Sequence, residues 1–494
     1  MINLNKKIVM FFIIIFMCIS AILFYNFDKK EKNFRYQQHI EESKIEYVND
    51  ESNNIKTHLP ILSIKVDEEN IPGEVLLDSN GNKLMKTLDS QGNKMTLGEI
   101  EVYDNGEINT IENKADFKSS VLLRYRGNSS IYFSKKGYLL KLVDEEGNNV
   151  DEKMLGMAKD NEWVLNGPFL DKTLMRNYMA YNLAGMIMGY APNVRFCELY
   201  LNDEYQGLYI LCESISRSKN RVNISKYDPR INEFGYIVCL DDNEEDIKNI
   251  STFSEYSYIT ESGSGLKIIY PSRSMINDEV KAYIESDFSE FERALYSYDF
   301  NDPKKGYKNY IDVDSFVNYY IFQEFMEIND TGYRSTYLYK EKGGKIVMGP
   351  VWDYNNSLNN YFTELDSEKI QCADRVWYSQ LLKDKDFVDR VVNRYKELRK
   401  TILNEEYLLN YIDSVRDYLG EAINRNFDVW GFSFDSSKLS AKEKLYPESR
   451  NIVSYDEAIK QLKDEIVKRG RWLDDNIDTL YQYCQDSKNR DLLD

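Results

Sequence analysis

The chain has 494 residues, 29% charged and 42% hydrophobic, enough for two or three domains with a sizeable core. Its formal net charge of −19 repels nucleic-acid phosphates and no local basic patch offsets it, so no DNA or RNA partner is expected. Only two histidines occur, His39 and His58, both ahead of the first strand-like run, which leaves a Ser-His-Asp triad, a Cys-His dyad or a His-ligated zinc without its histidine.

At the N-terminus, Lys6 and Lys7 close a short segment, residues 1–7, and precede an uncharged run over 8–25. That run has the length of a membrane span and lacks an A-x-A site, so the expectation is an uncleaved transmembrane signal anchor with the rest of the chain extracytoplasmic. Residues 26–57 are rich in Lys, Glu, Asn and Gln and read as a flexible tether. From Leu59, short alternating runs broken by Asn80-Gly81 and Gly92 predict a β-rich segment over 58–115.

Strand-like runs continue through SSVLLRYRG, KGYLLKLVD, RFCELYLND, YQGLYILCE and FGYIVCLDD, with helical spacing over 172–188 (Leu174, Tyr178, Tyr181, Leu183, Ile187). An aromatic-rich helix over 313–328 leads into a hairpin, STYLYK, Gly343-Gly344, KIVMGPVWDY. These elements make up a core over 116–365. The remainder, 366–494, is helical: Phe387, Val391, Tyr395 and Leu398 share one face, as do Leu408, Tyr411, Ile412, Val415 and Leu419. A capping box, Ser454 with Glu457, opens the last helix. Strands, helix, hairpin and then helices predict an α+β fold. The six cysteines form no C-x-x-C pair; Cys197, Cys212 and Cys239 sit in strand-like runs and read as small hydrophobes or, outside the cell, as a cross-strand disulfide.

No Walker or dinucleotide glycine motif occurs. The densest cluster of candidate residues is NDTGYRSTYLYKEKGGKIVMGPVWDYNNSLNN, over 329–360. Asp330 follows the apolar helix; Asp353 ends a strand and precedes several Asn. An Asp beside carboxamides suits Mg2+, which takes hard oxygens and only one or two carboxylates. Phosphoryl transfer asks one Asp to orient a hydroxyl and another to hold metal, and the two ends of one hairpin can supply both. On spacing alone the pair fits turn caps or a carboxylate-pair glycosidase as well. A second cluster, Arg124-Tyr125-Arg126-Gly127-Asn128-Ser129-Ser130 with Lys135, Lys136 and Lys141, offers N–H donors and cations to a phosphate, or is an ordinary polar hairpin. The glycosidase reading gives it no role. A third, the Asn202-Asp203 turn with Glu213 beyond it, is a hairpin whose Glu213 can pair with a phosphate-binding Lys.

Taken in order, RYRGNSS…KKGYLLKL, NEWVLNGPFLDKTLMRNYMAYNLA, ELYLNDEYQGLYILCESI and NDTGYRSTYLYKEKGGKIVMGPVWDYN resemble the CotH spore-coat kinase family over roughly residues 58–480. The resemblance implies an atypical protein-kinase-like fold that binds ATP with Mg2+ or Mn2+ and phosphorylates Ser or Thr of spore coat or cell-surface proteins. It implies that Asp330 is the catalytic Asp, that Asp353, with Asn355 and Asn360, meets the metal, and that Arg126, Lys136, Lys141 and Glu213 look after the phosphates. One departure stands out: where the family motif resembles W-D-F-D-x-x-x-G-N, this chain has Asn355 for the second Asp and Asn359 for the Gly. Loss of a carboxylate leaves a second reading open, a catalytically weak or inactive member that serves as a binding or structural protein at the cell or spore surface.

Overall fold

The computed structural model describes residues 35–43, 55–77, 83–106, 108–127, 129–242, 246–247 and 264–486. Nine strands occupy the first half: β1 (Ile61–Val66), β2 (Val75–Leu77), β3 (Lys83–Met85), β4 (Thr96–Tyr103), β5 (Phe117–Arg126), β6 (Gly137–Val143), β7 (Glu162–Asn166), β8 (Val194–Leu201) and β9 (Glu204–Glu213). All but the β2–β3 hairpin close into a barrel of order β1-β4-β5-β6-β7-β9-β8, sealed by the parallel pair β1 and β8. Alternation decides which side chains fill it. On β5, Val121, Leu123 and Tyr125 point inward, and Leu122, Arg124 and Arg126 point outward. On β8 every residue is buried, because one face lines the barrel and the other meets the helices.

A second sheet has the order β11-β10-β12-β13, from β10 (Tyr236–Asp242), β11 (Ser264–Tyr270), β12 (Thr336–Lys340) and β13 (Ile346–Met348). The helices are α1 (Gln38–Glu41), α2 (Arg176–Gly185), α3 (Asp278–Tyr296), α4 (Val313–Met326), α5 (Tyr378–Leu381), α6 (Lys385–Leu398), α7 (Glu405–Leu419), α8 (Glu421–Trp430) and α9 (Tyr455–Asn476). The capping box holds: the Ser454 hydroxyl accepts the Glu457 N–H at 3.2 Å. A continuous hydrophobic core runs from the outer barrel face (Val164, Phe196, Ile210) through α2, α3, α4, α6, α7 and α9. Helix α8 clasps the barrel. Arg425 meets the buried Glu198 at 2.9 Å, the Trp430 indole donates to Gln206 O at 2.8 Å, and Asn426 accepts from the buried Lys135 ammonium at 2.7 Å.

The fold is therefore α+β, but the expectation of a kinase-like domain preceded by one membrane-crossing helix needs correction. The β-rich part is a closed barrel. Among the described residues no helix is long and apolar enough to cross a membrane. The longest, α9, is amphipathic and buries only one face. The run over 8–25 on which a membrane partner was expected lies outside the described residues.

Part of the tether-like stretch is docked. The Gln38 side chain accepts from Phe196 N–H at 2.8 Å and faces its carbonyl at 3.4 Å, completing β8 just before its pairing with β1 begins at Glu198. Arg35 donates to Asn182 Oδ1 at 3.1 Å, to Ala191 O at 2.9 Å and to Pro192 O. His39 is buried with Nδ1 2.9 Å from the Tyr178 hydroxyl, and burial pushes its pKa down to about 4. Polar composition hid this segment, because its anchors are hydrogen-bonding side chains rather than an apolar stripe. None of the described cysteines (Cys197, Cys212, Cys239, Cys372, Cys484) is in a disulfide.

Candidate active site

Helix α4 ends where Glu327 turns left-handed, φ 54°, and releases the chain into a tight turn. Asp330 opens that turn; its carbonyl accepts from Tyr333 and Arg334 N–H at 3.0 and 2.9 Å. The turn leads into β12, and β12 pairs with β13, Leu338 opposite Met348. The chain leaving β13 returns to the same end of the sheet and reaches Asp353. The neighbouring strand β10 also ends there, at Asp241 and Asp242, with Leu240 opposite Thr336. Asp330, Asp241 and Asp353 thus converge on one end of the second sheet.

Asp353 adopts φ 65°, in the left-handed region that non-glycine residues seldom take, though Asp tolerates it better than most. Its backbone N–H donates to the Tyr181 hydroxyl at 3.0 Å, and the next N–H, of Tyr354, donates to Asn177 Oδ1 at 2.7 Å. Helix α2 therefore fixes the strained residue from below. Trp352 stacks on Tyr181, and the Arg126 guanidinium lies 4.6 Å over the Trp352 ring. Burial pushes the Asp353 carboxyl up to about 6; the negative charges of Asp330 and Asp241 push the same way, and Arg126 opposes them. The two hairpin carboxylates and Arg126 thus share one electrostatic site.

Beyond Asp353 the chain coils on itself. Asn360 Nδ2 donates to Asn355 O at 2.8 Å, and Asn355 Nδ2 donates to Asn356 Oδ1 at 3.1 Å. Asn355 Oδ1 is left buried with no hydrogen-bond partner. An orphaned carbonyl oxygen two residues along the chain from a carboxylate of raised pKa is what a hard cation would relieve. Among the described residues no three His, Cys, Asp or Glu side chains form a closed cage. The donors are carboxylates and amide oxygens, an open set suited to Mg2+, which keeps several waters.

The other sequence candidates lie differently. Lys136 donates to Ile131 O at 2.8 Å, and the acids acting on it are Glu74 and Glu443. Lys141 stands on the outer barrel face between Leu122 and Glu162 of the flanking strands. Glu213 is fully buried and meets no lysine among the described ion pairs; it accepts from the Tyr190 hydroxyl at 3.1 Å and from Asn193 N and Nδ2 at 2.9 and 3.0 Å. Asn128, in the Gly-Asn-Ser-Ser run, lies outside the described residues. Sequence reasoning missed Asp241, Asn177 and Tyr181. The Asp-Asp that ends YIVCLDD was a visible signal for the first; the other two face the site from a helix whose residues are nearly all buried.

A model of the family described as CotH kinase protein matches residues 123–473, which include Arg126, Asp241, Asp330 and Asp353. No curated protein matches the chain.

Proposed function

The chain belongs to the CotH kinase protein family, and on that premise we propose that it transfers the γ-phosphoryl group of ATP to Ser or Thr hydroxyls of spore coat or cell-surface proteins. What supports this reading is the convergence of Asp330 and Asp353 from the two ends of one hairpin on the same end of the second sheet, with the Arg126 guanidinium over Trp352 beside Asp353. When bound, Mg2+ or Mn2+ screens the phosphate charge so that an oxygen nucleophile can approach. Asp353, with the amide oxygens of Asn355 and Asn360, supplies the cation's protein ligands. Arg126, lying over the Trp352 ring, counters phosphate charge. Asp330 accepts the hydroxyl proton as the new O–P bond forms and the bond to the ADP oxygen breaks.

A second reading, a binding protein with weak or no transfer, is favoured by Asn355, which leaves one carboxylate fewer to face the cation. The full-length protein incubated with γ-labelled ATP, Mg2+ or Mn2+ and a Ser-rich acceptor decides between them. Label on the acceptor or on the protein, absent in Asp330→Asn, supports the kinase. Metal-dependent ATP binding without label in any acceptor supports the second reading.

A further inference from the structure

The turn that carries Asn355 and Asn360 is held from two sides. On one, the buried Arg176 donates from Nε to Ser357 O at 3.0 Å, and Gln461 Nε2 donates to Leu358 O at 3.3 Å. On the other stands Arg450, which lies outside every motif described above. Its Nη2 donates to Asn359 O at 2.6 Å and to Asn359 Oδ1 at 3.0 Å. Its Nη1 donates to Tyr361 O at 3.1 Å, Phe362 O at 3.5 Å and Tyr446 O at 2.8 Å. Its own segment is fastened to the same loop, since Tyr446 N–H donates to Phe362 O at 2.7 Å.

The loop needs such a hold. Leu358 and Asn359 are consecutive left-handed residues, φ 50° and 56°, a conformation costly for Leu and only tolerated by Asn. Left free, the pair would relax and carry Asn360 away from Asn355 O. A guanidinium suits the task because its planar fork serves several divergent oxygens at once, whereas an ammonium is a point donor.

We infer that Arg450 is a positioning residue for the proposed cation site: by gathering the oxygens of Asn359, Tyr361 and Phe362 it keeps the Asn355–Asn360 turn closed behind Asp353. The inference rests on the cation reading above, and its test separates the two. Mn2+ binding to the full-length protein is followed by electron paramagnetic resonance, and amide hydrogen exchange is followed over 355–363. Arg450→Ala and Arg450→Lys are both expected to weaken Mn2+ binding about tenfold and to speed exchange in that stretch, with barrel protection unchanged. Asn359→Gly keeps the left-handed turn but removes one acceptor, and is expected to show a smaller loss of both. If the parent binds Mn2+ and either Arg450 variant binds it within twofold, with the loop still protected, Arg450 has no such role. If the parent binds no Mn2+, the cation reading itself fails.

Discussion

Replacing Asp353 with Asn should stabilise the metal-free protein, and by an amount that the site's electrostatics set. The Asp353 carboxyl rises from 3.8 to about 6, first by burial and then by the charges of Asp330 and Asp241. In the unfolded chain it ionises near its ordinary value, so between these pH values the folded state holds the extra proton. Stability is therefore lost as pH rises from about 4 to about 6, and the full cost persists above. A rise of this size corresponds to an upper limit of ~3 kcal/mol at pH 8. With an unfolding entropy of ~2.1 cal/mol/K per residue, a chain of this length would gain on the order of 3 °C in Tm. Calorimetry of Asp353→Asn in EDTA should show this gain at pH 8 and none near pH 4. Added Mg2+ should raise the Tm of the parent, as binding to the folded state does, and leave the variant unmoved. In the parent, cation affinity should be flat above pH 7 and fall below about pH 6, where protons compete for the same carboxylate. A variant that melts at or below the parent at pH 8, or that keeps the Mg2+ response, would refute both the buried charge and its assignment as a ligand.

Asp330→Asn should bind Mg·ATP within about threefold of the parent and lose ~100-fold or more in phosphate transfer, since proton acceptance acts in the transition state; equal losses in both, by calorimetry and labelled transfer, would make Asp330 a ground-state ligand. Asn355→Asp adds an anionic oxygen where an orphaned carbonyl now stands, and should tighten Mn2+ binding several-fold by paramagnetic titration. Gly185→Ala places a Cβ 2.2–2.5 Å from the Arg35 side chain and should expel the segment around residues 35–43; proteolysis there should accelerate. Arg35→Ala should cost about 2–3 kcal/mol, because Asn182, Ala191 and Pro192 lose a buried charged donor.

Hydrophobic periodicity made the central and C-terminal helices legible. The helix predicted over 313–328 is α4, and the faces through Phe387 and Leu408 are those of α6 and α7. Helix α3 carries the same signals, an Asn277 cap and Val280, Ile284, Phe288 and Phe291 at helical spacing, but is not among the helices expected above. Barrel closure was not legible, because parallel pairing of β1 with β8 joins runs more than a hundred residues apart and neither run encodes its partner. In the site, the two Asp were visible because turn chemistry and an apolar helix bracket them. Glu213 shows the limit of such reading: a strand-ending acid looks the same in sequence whether it faces a phosphate-binding Lys or, as here, the side chains of Tyr190 and Asn193.

The sharing of one hydrophobic core between barrel and helices has a mechanical consequence. A two-lobed enzyme that closes on its ligand needs a hinge and an interface that opens without exposing apolar surface. Here Val164, Phe196 and Ile210 on the barrel wall belong to the same packed interior as α2 and α4, and α8 straps the barrel with the Arg425–Glu198 pair. Rocking one half against the other would tear that interior open. For the proposed phosphoryl transfer, ligand entry and exit would then fall to short segments moving over this packed frame rather than to a closing stroke.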